Sequence, residues 1–204
     1  MKLIIFFNGW GIKSLNFSVG NGWKIRYLNY PYKYEYEEVD LEYKKIIFVG
    51  WSFGVYYLNK FLEENPSYRS YETIGINGTP HMIGERGISK KMLEYTLENL
   101  TEESLERFYK NIGILDNKNI SIFDGKKAIS ELKIELLDFI DNYIERENYI
   151  KKAIISKNDR IIKFKNQKKY FTENGSLIYE IDGEHFIFNE KKFVSRLVDI
   201  LDEI

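Results

Sequence analysis

The stretch KIIFVGWSFGVYYLNKFL, residues 45–62, joins an apolar run to an amphipathic one through Gly50-Trp51-Ser52-Phe53-Gly54. Ile46–Val49 reads as a buried strand. Val55, Leu58 and Leu62 recur at i, i+3 and i+7, the spacing of a helix, which must end before Pro66. A serine between two glycines at a strand-to-helix turn is the pattern of a nucleophile elbow. Chemistry needs the glycines there because the serine backbone is strained and strand and helix must approach closely. The helix N-terminus beneath the serine also favours developing negative charge. A turn serine with a purely structural role is the competing reading, and the rest of the chain has to decide.

Working outward, Leu3–Phe7 is a continuous apolar run that stops at Asn8-Gly9, as expected of a strand buried on both faces. Lys24–Tyr30 alternates and ends at Pro31. YETIGING from Tyr71, KKAIIS at 151–156 and SLIYEID at 176–182 supply further strands. FKNQKKYF reads as a short helix, and the last helix carries Phe193, Leu197, Ile200 and Leu201 on its apolar side. From about Gly84 to Tyr149 the pattern is mostly helical, with Ile129, Leu132, Leu136, Ile140 and Tyr143 on one stripe. Strands alternating with helices predict an α/β fold, a mostly parallel sheet with helices on both faces. The helical insertion at 84–149 is expected to cap one edge of a single domain spanning residues 1–204. NYPYKYEYEE, rich in tyrosine and charge, reads as an exposed loop.

The chain has 204 residues, enough for one sizeable core and too few for two ordinary domains. Thirty Lys and Arg against 31 Asp and Glu leave a formal charge of −1, which gives no sign of a nucleic-acid partner. Absence of cysteine removes thiol nucleophiles, thiolate metal sites and disulfides. No run approaches a membrane span, and the apolar start is too short for a secretory signal, so a cytoplasmic protein is expected. Neither a metal nor a cofactor is expected.

A serine hydroxyl needs a base, and the chain has two histidines. His185, in DGEHFIF after the last strand, leaves room for an acid between itself and Ser52, in the order Ser, acid, His. His81, in NGTPHM, reads as a loop residue near the site mouth. Asp159, in AIISKNDRII, stands at the tip of the strand before His185 and is the expected orienting acid. Asp182 reads as a turn cap, and Asp124 in IFDGKK as a reserve acid. An oxyanion hole needs two converging backbone N–H groups. Phe53, next after the serine, would give one. Trp10, in FFNGWG after the first strand, would give the other, and Trp10 and Phe53 would line the acyl site. A buried core tryptophan is the plainer reading of Trp10. No role emerges for Trp51.

With these residues in place, the sequence resembles the α/β hydrolases and, more narrowly, the BioG-type pimeloyl-acyl-carrier-protein methyl ester esterases. FFNGWG, VGWSFGV, INGTP, ELKIELL, NDRII followed by Asn166-Gln167, and GEHFIF carry the likeness. It implies an α/β-hydrolase fold with a reduced sheet. It also implies an enzyme of biotin synthesis that releases methanol from the methyl ester of pimeloyl-acyl carrier protein. On that likeness Ser52 is nucleophile, His185 base and Asp159 its acid, with Trp10 and Phe53 as oxyanion donors. Lys163 stands near where many such hydrolases carry a proline. The residues alone imply only a serine hydrolase of acyl substrates; a monomer is expected. A general short-chain carboxylesterase or thioesterase remains the alternative enzyme, and a non-catalytic binding protein of the same fold the alternative of another class. An acidic carrier protein would call for a basic face, for which Arg86, Lys90, Lys91, Arg107 and Lys110 are candidates beside a plain solvated helix surface.

Overall fold

The computed structural model describes residues 1–15, 19–20, 22–34, 43–114, 120–123, 125–189 and 191–202. Six strands form one sheet in the order β3 (Trp23–Leu28), β1 (Lys2–Phe7), β4 (Lys45–Trp51), β5 (Glu72–Ile76), β7 (Lys152–Ser156), β8 (Leu177–Ile181). Every neighbouring pair is parallel. The chain belongs to the α/β class the sequence predicts, and the sheet is parallel throughout.

Burial follows strand position. Ile4, Ile5, Phe6 and Phe7 in β1, and Ile47, Phe48 and Val49 in β4, are all buried, so both faces of the sheet centre are covered. The edge strands β3 and β8 are covered less completely, each mixing buried, half-buried and exposed residues. Helices α1 (Phe53–Glu64), α5 (Phe164–Glu173) and α6 (Lys191–Asp202) lie between or after the strands. Phe193, Leu197, Ile200 and Leu201 are the buried side of α6, as the spacing predicts.

Between β5 and β7 run α2 (Lys90–Glu98), α3 (Glu102–Asn111) and α4 (Gly125–Asp141). Two short strands escaped the sequence reading. β2 (Ile12–Leu15) and β6 (Ile120–Ile122) pair antiparallel and tie this insertion to the loop after β1. The stripe on α4 also differs from expectation. Ala128, Leu132, Glu135, Leu136 and Phe139 are its buried side chains, and the helix ends before Tyr143. The tyrosine-rich stretch is an exposed loop only in part: among its described residues Asn29, Pro31 and Lys33 are exposed, whereas Tyr30 and Tyr34 are half-buried. Tyr32 is buried between Phe7 and Tyr57, with ring centroids 6.1 and 4.2 Å away, and its hydroxyl donates to the Asn8 carbonyl at 2.7 Å. Aromatic stacking overrides the charge of its neighbours. Residues 35–38 of that stretch, and the reserve acid Asp124, lie outside the described residues.

Strand order positions the site. From β1 the chain moves to β3 on one side and then returns to β4 on the other, so loops diverge at the carboxyl ends of β1 and β4. Such a switch point leaves a crevice at the sheet rim. Register aligns that rim, with Phe7 beside Gly50 and Trp51 beside Ile76.

Candidate active site

Ser52 sits at that switch point, between the last residue of β4 and the first of α1. Its backbone has φ 55° and ψ −123°, a conformation a non-glycine residue adopts only under constraint. The constraint is visible. Ser52 N–H donates to the Ile76 carbonyl at 2.9 Å, and its own carbonyl accepts from Val55 N–H at 3.0 Å. Close approach explains the two flanking glycines. A Cβ on Gly54 would stand 1.9 Å from the Phe7 carbonyl oxygen, and one on Gly50 would stand 2.6 Å from the Gly54 oxygen.

The remaining side chains converge on this hydroxyl from distant parts of the chain. His185 Nε2 lies 2.9 Å from Ser52 Oγ, and His185 Nδ1 lies 2.9 Å from Asp159 Oδ2. All three residues are buried. With the Nδ1 proton donated to the carboxylate, Nε2 is left to accept the serine proton. The carboxylate is itself fixed. Asp159 Oδ1 accepts from Ile161 and Ile162 N–H at 2.8 and 2.9 Å, and Oδ2 accepts from Gln167 Nε2 at 3.0 Å. The three residues predicted from strand order thus form one continuous hydrogen-bonded chain.

Three supporting residues went unassigned in the sequence. Gln167 is the first, a buried amide on the inner side of α5. Trp51 is the second; its indole N–H donates to the His185 carbonyl at 3.1 Å and its ring packs 5.5 Å from the imidazole. Asn77 is the third. Its backbone takes φ 45°, and its amide donates to Ser156 Oγ and to the His185 carbonyl, both at 2.8 Å, while its oxygen accepts from Ser156 N–H at 2.8 Å. It ties the tips of β5 and β7 to the histidine loop. The signal was the Asn of INGTP, placed at the end of the strand YETIGING and given no role, although Asn is also the residue best suited to positive φ outside glycine.

Other expected positions resolve as follows. Trp10 is buried, its indole N–H donating to the Leu132 carbonyl at 3.2 Å and its ring meeting Phe108 at 5.3 Å. Phe53 stacks on Phe139 of α4 at 4.5 Å. Both side chains therefore clamp the helical insertion to the sheet rim. Their backbone N–H groups have no hydrogen-bond partner among the described residues, as a pair of oxyanion donors requires. His81 is elsewhere, Nε2 donating to the Arg146 carbonyl at 3.1 Å and its ring against Tyr170. Asp182 is exposed and pairs with Lys157 at 3.5 Å. Lys163 caps α5 with φ −52°, an angle that proline also fits.

A cavity of about 240 Å³ adjoins this constellation, lined in part by Gly9, Asn29, Tyr30, Tyr32, Leu132 and Glu135. Neither Trp10 nor Phe53 lines it. Burial, aided by the charge of Asp138, pushes the Glu135 carboxyl up from 4.5 to about 8. Burial and the neighbouring Glu135 push the Tyr32 and Tyr57 phenols up. Among the described residues no cluster of three His, Cys, Asp or Glu side chains could hold a metal, and no helix is long and apolar enough to cross a membrane.

With this geometry in view, the chain was compared with known proteins. The family model for pimeloyl-ACP methyl esterase BioG matches residues 1–196. The chain belongs to the BioG family. A crystal structure of BioG from Haemophilus influenzae superposes with a TM-score of 0.75 at 24% identity, covering 92% of this chain and 90% of that one. Outside the BioG family, the RedJ thioesterase of prodiginine biosynthesis from Streptomyces coelicolor shares the fold. Its TM-score is 0.59 at 14% identity, over 98% of this chain and 89% of that one. The expected α/β-hydrolase fold is therefore borne out, as is the family resemblance. A curated relative, malonyl-[acyl-carrier protein] O-methyltransferase of Bacteroides fragilis (strain 638R), is 29% identical over 204 residues. That match covers 91% of this chain and 39% of the relative, so the chain spans well under half of that protein's length.

Proposed function

We propose that this BioG-family chain is a serine hydrolase that cleaves the methyl ester of pimeloyl-acyl carrier protein, yielding the free carboxylate and methanol in biotin synthesis. The observation that carries the hydrolytic reading is the unbroken Ser52–His185–Asp159 hydrogen-bonded chain, at 2.9 Å in each step, on a serine held at φ 55°. His185 Nε2 takes the hydroxyl proton as Ser52 Oγ attacks the ester carbonyl. The oxyanion is met by the unpartnered N–H groups of Trp10 and Phe53. His185 returns the proton to the methoxy oxygen, methanol leaves, and a water activated by the same imidazole frees the acyl group. Asp159 holds the imidazole tautomer and supports its transient positive charge.

The substrate assignment is supported by the family and by its agreement with the curated relative's name. O-methylation of a carrier-bound carboxyl creates a methyl ester of the kind proposed here. A second reading, a general short-chain carboxylesterase or thioesterase, is favoured by one observation. Of the five basic residues considered for carrier docking, Arg86 is paired with Glu173, Lys90 with Glu94 and Lys110 with Glu106, at 2.7, 3.7 and 2.6 Å. Paired cations offer an acidic carrier less free charge. The test is mass measurement of pimeloyl-acyl carrier protein methyl ester after incubation with the protein. Conversion of the ester to the free acid is expected. An unchanged carrier alongside brisk cleavage of nitrophenyl esters would hand the assignment to the general esterase.

A further inference from the structure

The cavity beside Ser52 contains a group the reaction above does not use. Glu135 lines it from α4, is only 7% exposed, and has no hydrogen-bond or ion-pair partner among the described residues. A buried polar group without a partner is costly, and such groups in native folds call for an explanation. The cavity shares one wall residue with the reacting centre: Gly9 lines it and packs against Ser52, where a Cβ on Gly9 would stand 3.1 Å from Ser52 Cβ. At about 240 Å³, it has room for an acyl chain. Its lining mixes apolar Ile12, Leu132 and Ile134 with polar Asn29 and Tyr30.

Resting on the ester-hydrolase reading above, we propose that this cavity seats the acyl chain of the substrate, and that Glu135 donates a hydrogen bond to an uncharged carbonyl at the chain's far end. The enzyme then selects acyl esters that end in an ester, thioester or amide over those that end in a free carboxylate. The carbonyl that suits a carrier-bound substrate is that of the thioester.

Two features of the lining enforce that choice. No Lys, Arg or His lines the cavity, whereas Glu131 and Glu135 do. The titratable groups facing Glu135 are Asp138 and Glu131 on its own helix, Tyr30 and Tyr32 after β3, and Tyr57 on α1. All of these are neutral or negative at pH 7, so a ligand carboxylate would be buried without a counter-charge. Glu135, with its carboxyl pushed up to about 8, carries its proton at neutral pH and can donate.

The test uses two methyl esters of the same seven-carbon diacid, one ending in an N-methylamide and one in a free carboxylate. Binding to full-length Ser52→Ala protein is measured by calorimetry, and turnover by the wild-type protein. At pH 7 the amide-ended ester is expected to bind at least tenfold more tightly, and to show that preference in KM rather than kcat. Raising the pH to 9 ionises Glu135 and should weaken amide binding severalfold. The additional change Glu135→Gln keeps a donor that does not ionise, and should abolish that weakening. Equal binding of the two esters, or a weakening with pH that persists in Glu135→Gln, would overturn the inference. Discriminating binding by Ser52→Ala with no turnover of either ester by the wild-type protein would support the pocket assignment and refute the hydrolase reading instead.

Discussion

Replacing Glu135 by glutamine tests the burial of this carboxyl with little change of volume. In the unfolded chain the group titrates near 4.5, and in the folded protein it is pushed up to about 8. An acid with a raised folded value keeps its proton in the native state after the unfolded chain has released it. The contribution of this group to stability is therefore fullest below about pH 4.5, falls as pH rises through the window up to about 8, and levels off above it. Within that window each pH unit costs a factor of about ten in the folding equilibrium, so the whole shift is worth roughly 5 kcal/mol. That is a large part of the 5–15 kcal/mol of a typical domain. Glutamine has no such proton linkage. Urea midpoints for both proteins, followed by circular dichroism at pH 5, 7 and 9, isolate the effect as a difference. The stability of Glu135→Gln relative to wild type should improve by about 4 kcal/mol between pH 5 and 9. Parallel pH profiles would refute the reasoning, because they would mean that the carboxyl reaches water in the native state.

Three further outcomes follow from the site. Ser52→Ala should fold normally yet lose fluorophosphonate labelling and nearly all ester turnover; an adduct that persists on the variant would show another nucleophile. Asp159→Asn should lower kcat by roughly 10³–10⁴, since the imidazole tautomer is no longer fixed, and stopped assays showing near wild-type kcat would move the acid elsewhere. Gly54→Ala puts a Cβ 1.9 Å from the Phe7 carbonyl oxygen, so strand and helix must part. We expect a loss above about 3 kcal/mol by urea titration; an unchanged midpoint would contradict the packing described.

Ser52, Asp159 and His185 were legible because each follows within a few residues of a strand end, and strand ends announce themselves through apolar runs that stop at Gly, Asn or Asp. The supporting residues were not, for a shared reason. Gln167 and Glu135 sit among buried neighbours, beside Tyr170 and Phe171 in one helix and Leu132 and Leu136 in the other. Periodicity records such positions as gaps in an apolar stripe rather than as polar groups turned inward. Trp51 had no role in the sequence, because its bond to the His185 carbonyl, 134 residues away, has no local trace. The pairing of β2 with β6 was hidden because strands of four and three residues are too short to display alternation. Tyr32 was misread because charge in its flanks outweighed the aromatic partners supplied by β1 and α1.

The bonds from Trp51 and Asn77 to the His185 carbonyl have a consequence in time. Both span more than a hundred residues, as does the contact of His185 with Ser52. Closing such loops costs entropy that only later contacts recover, so interactions of this kind form late in folding. On the proposed mechanism activity would serve as a completion signal: a growing chain can build β1, β4 and the strained serine turn, yet Ser52 meets His185 only when the last strand has docked.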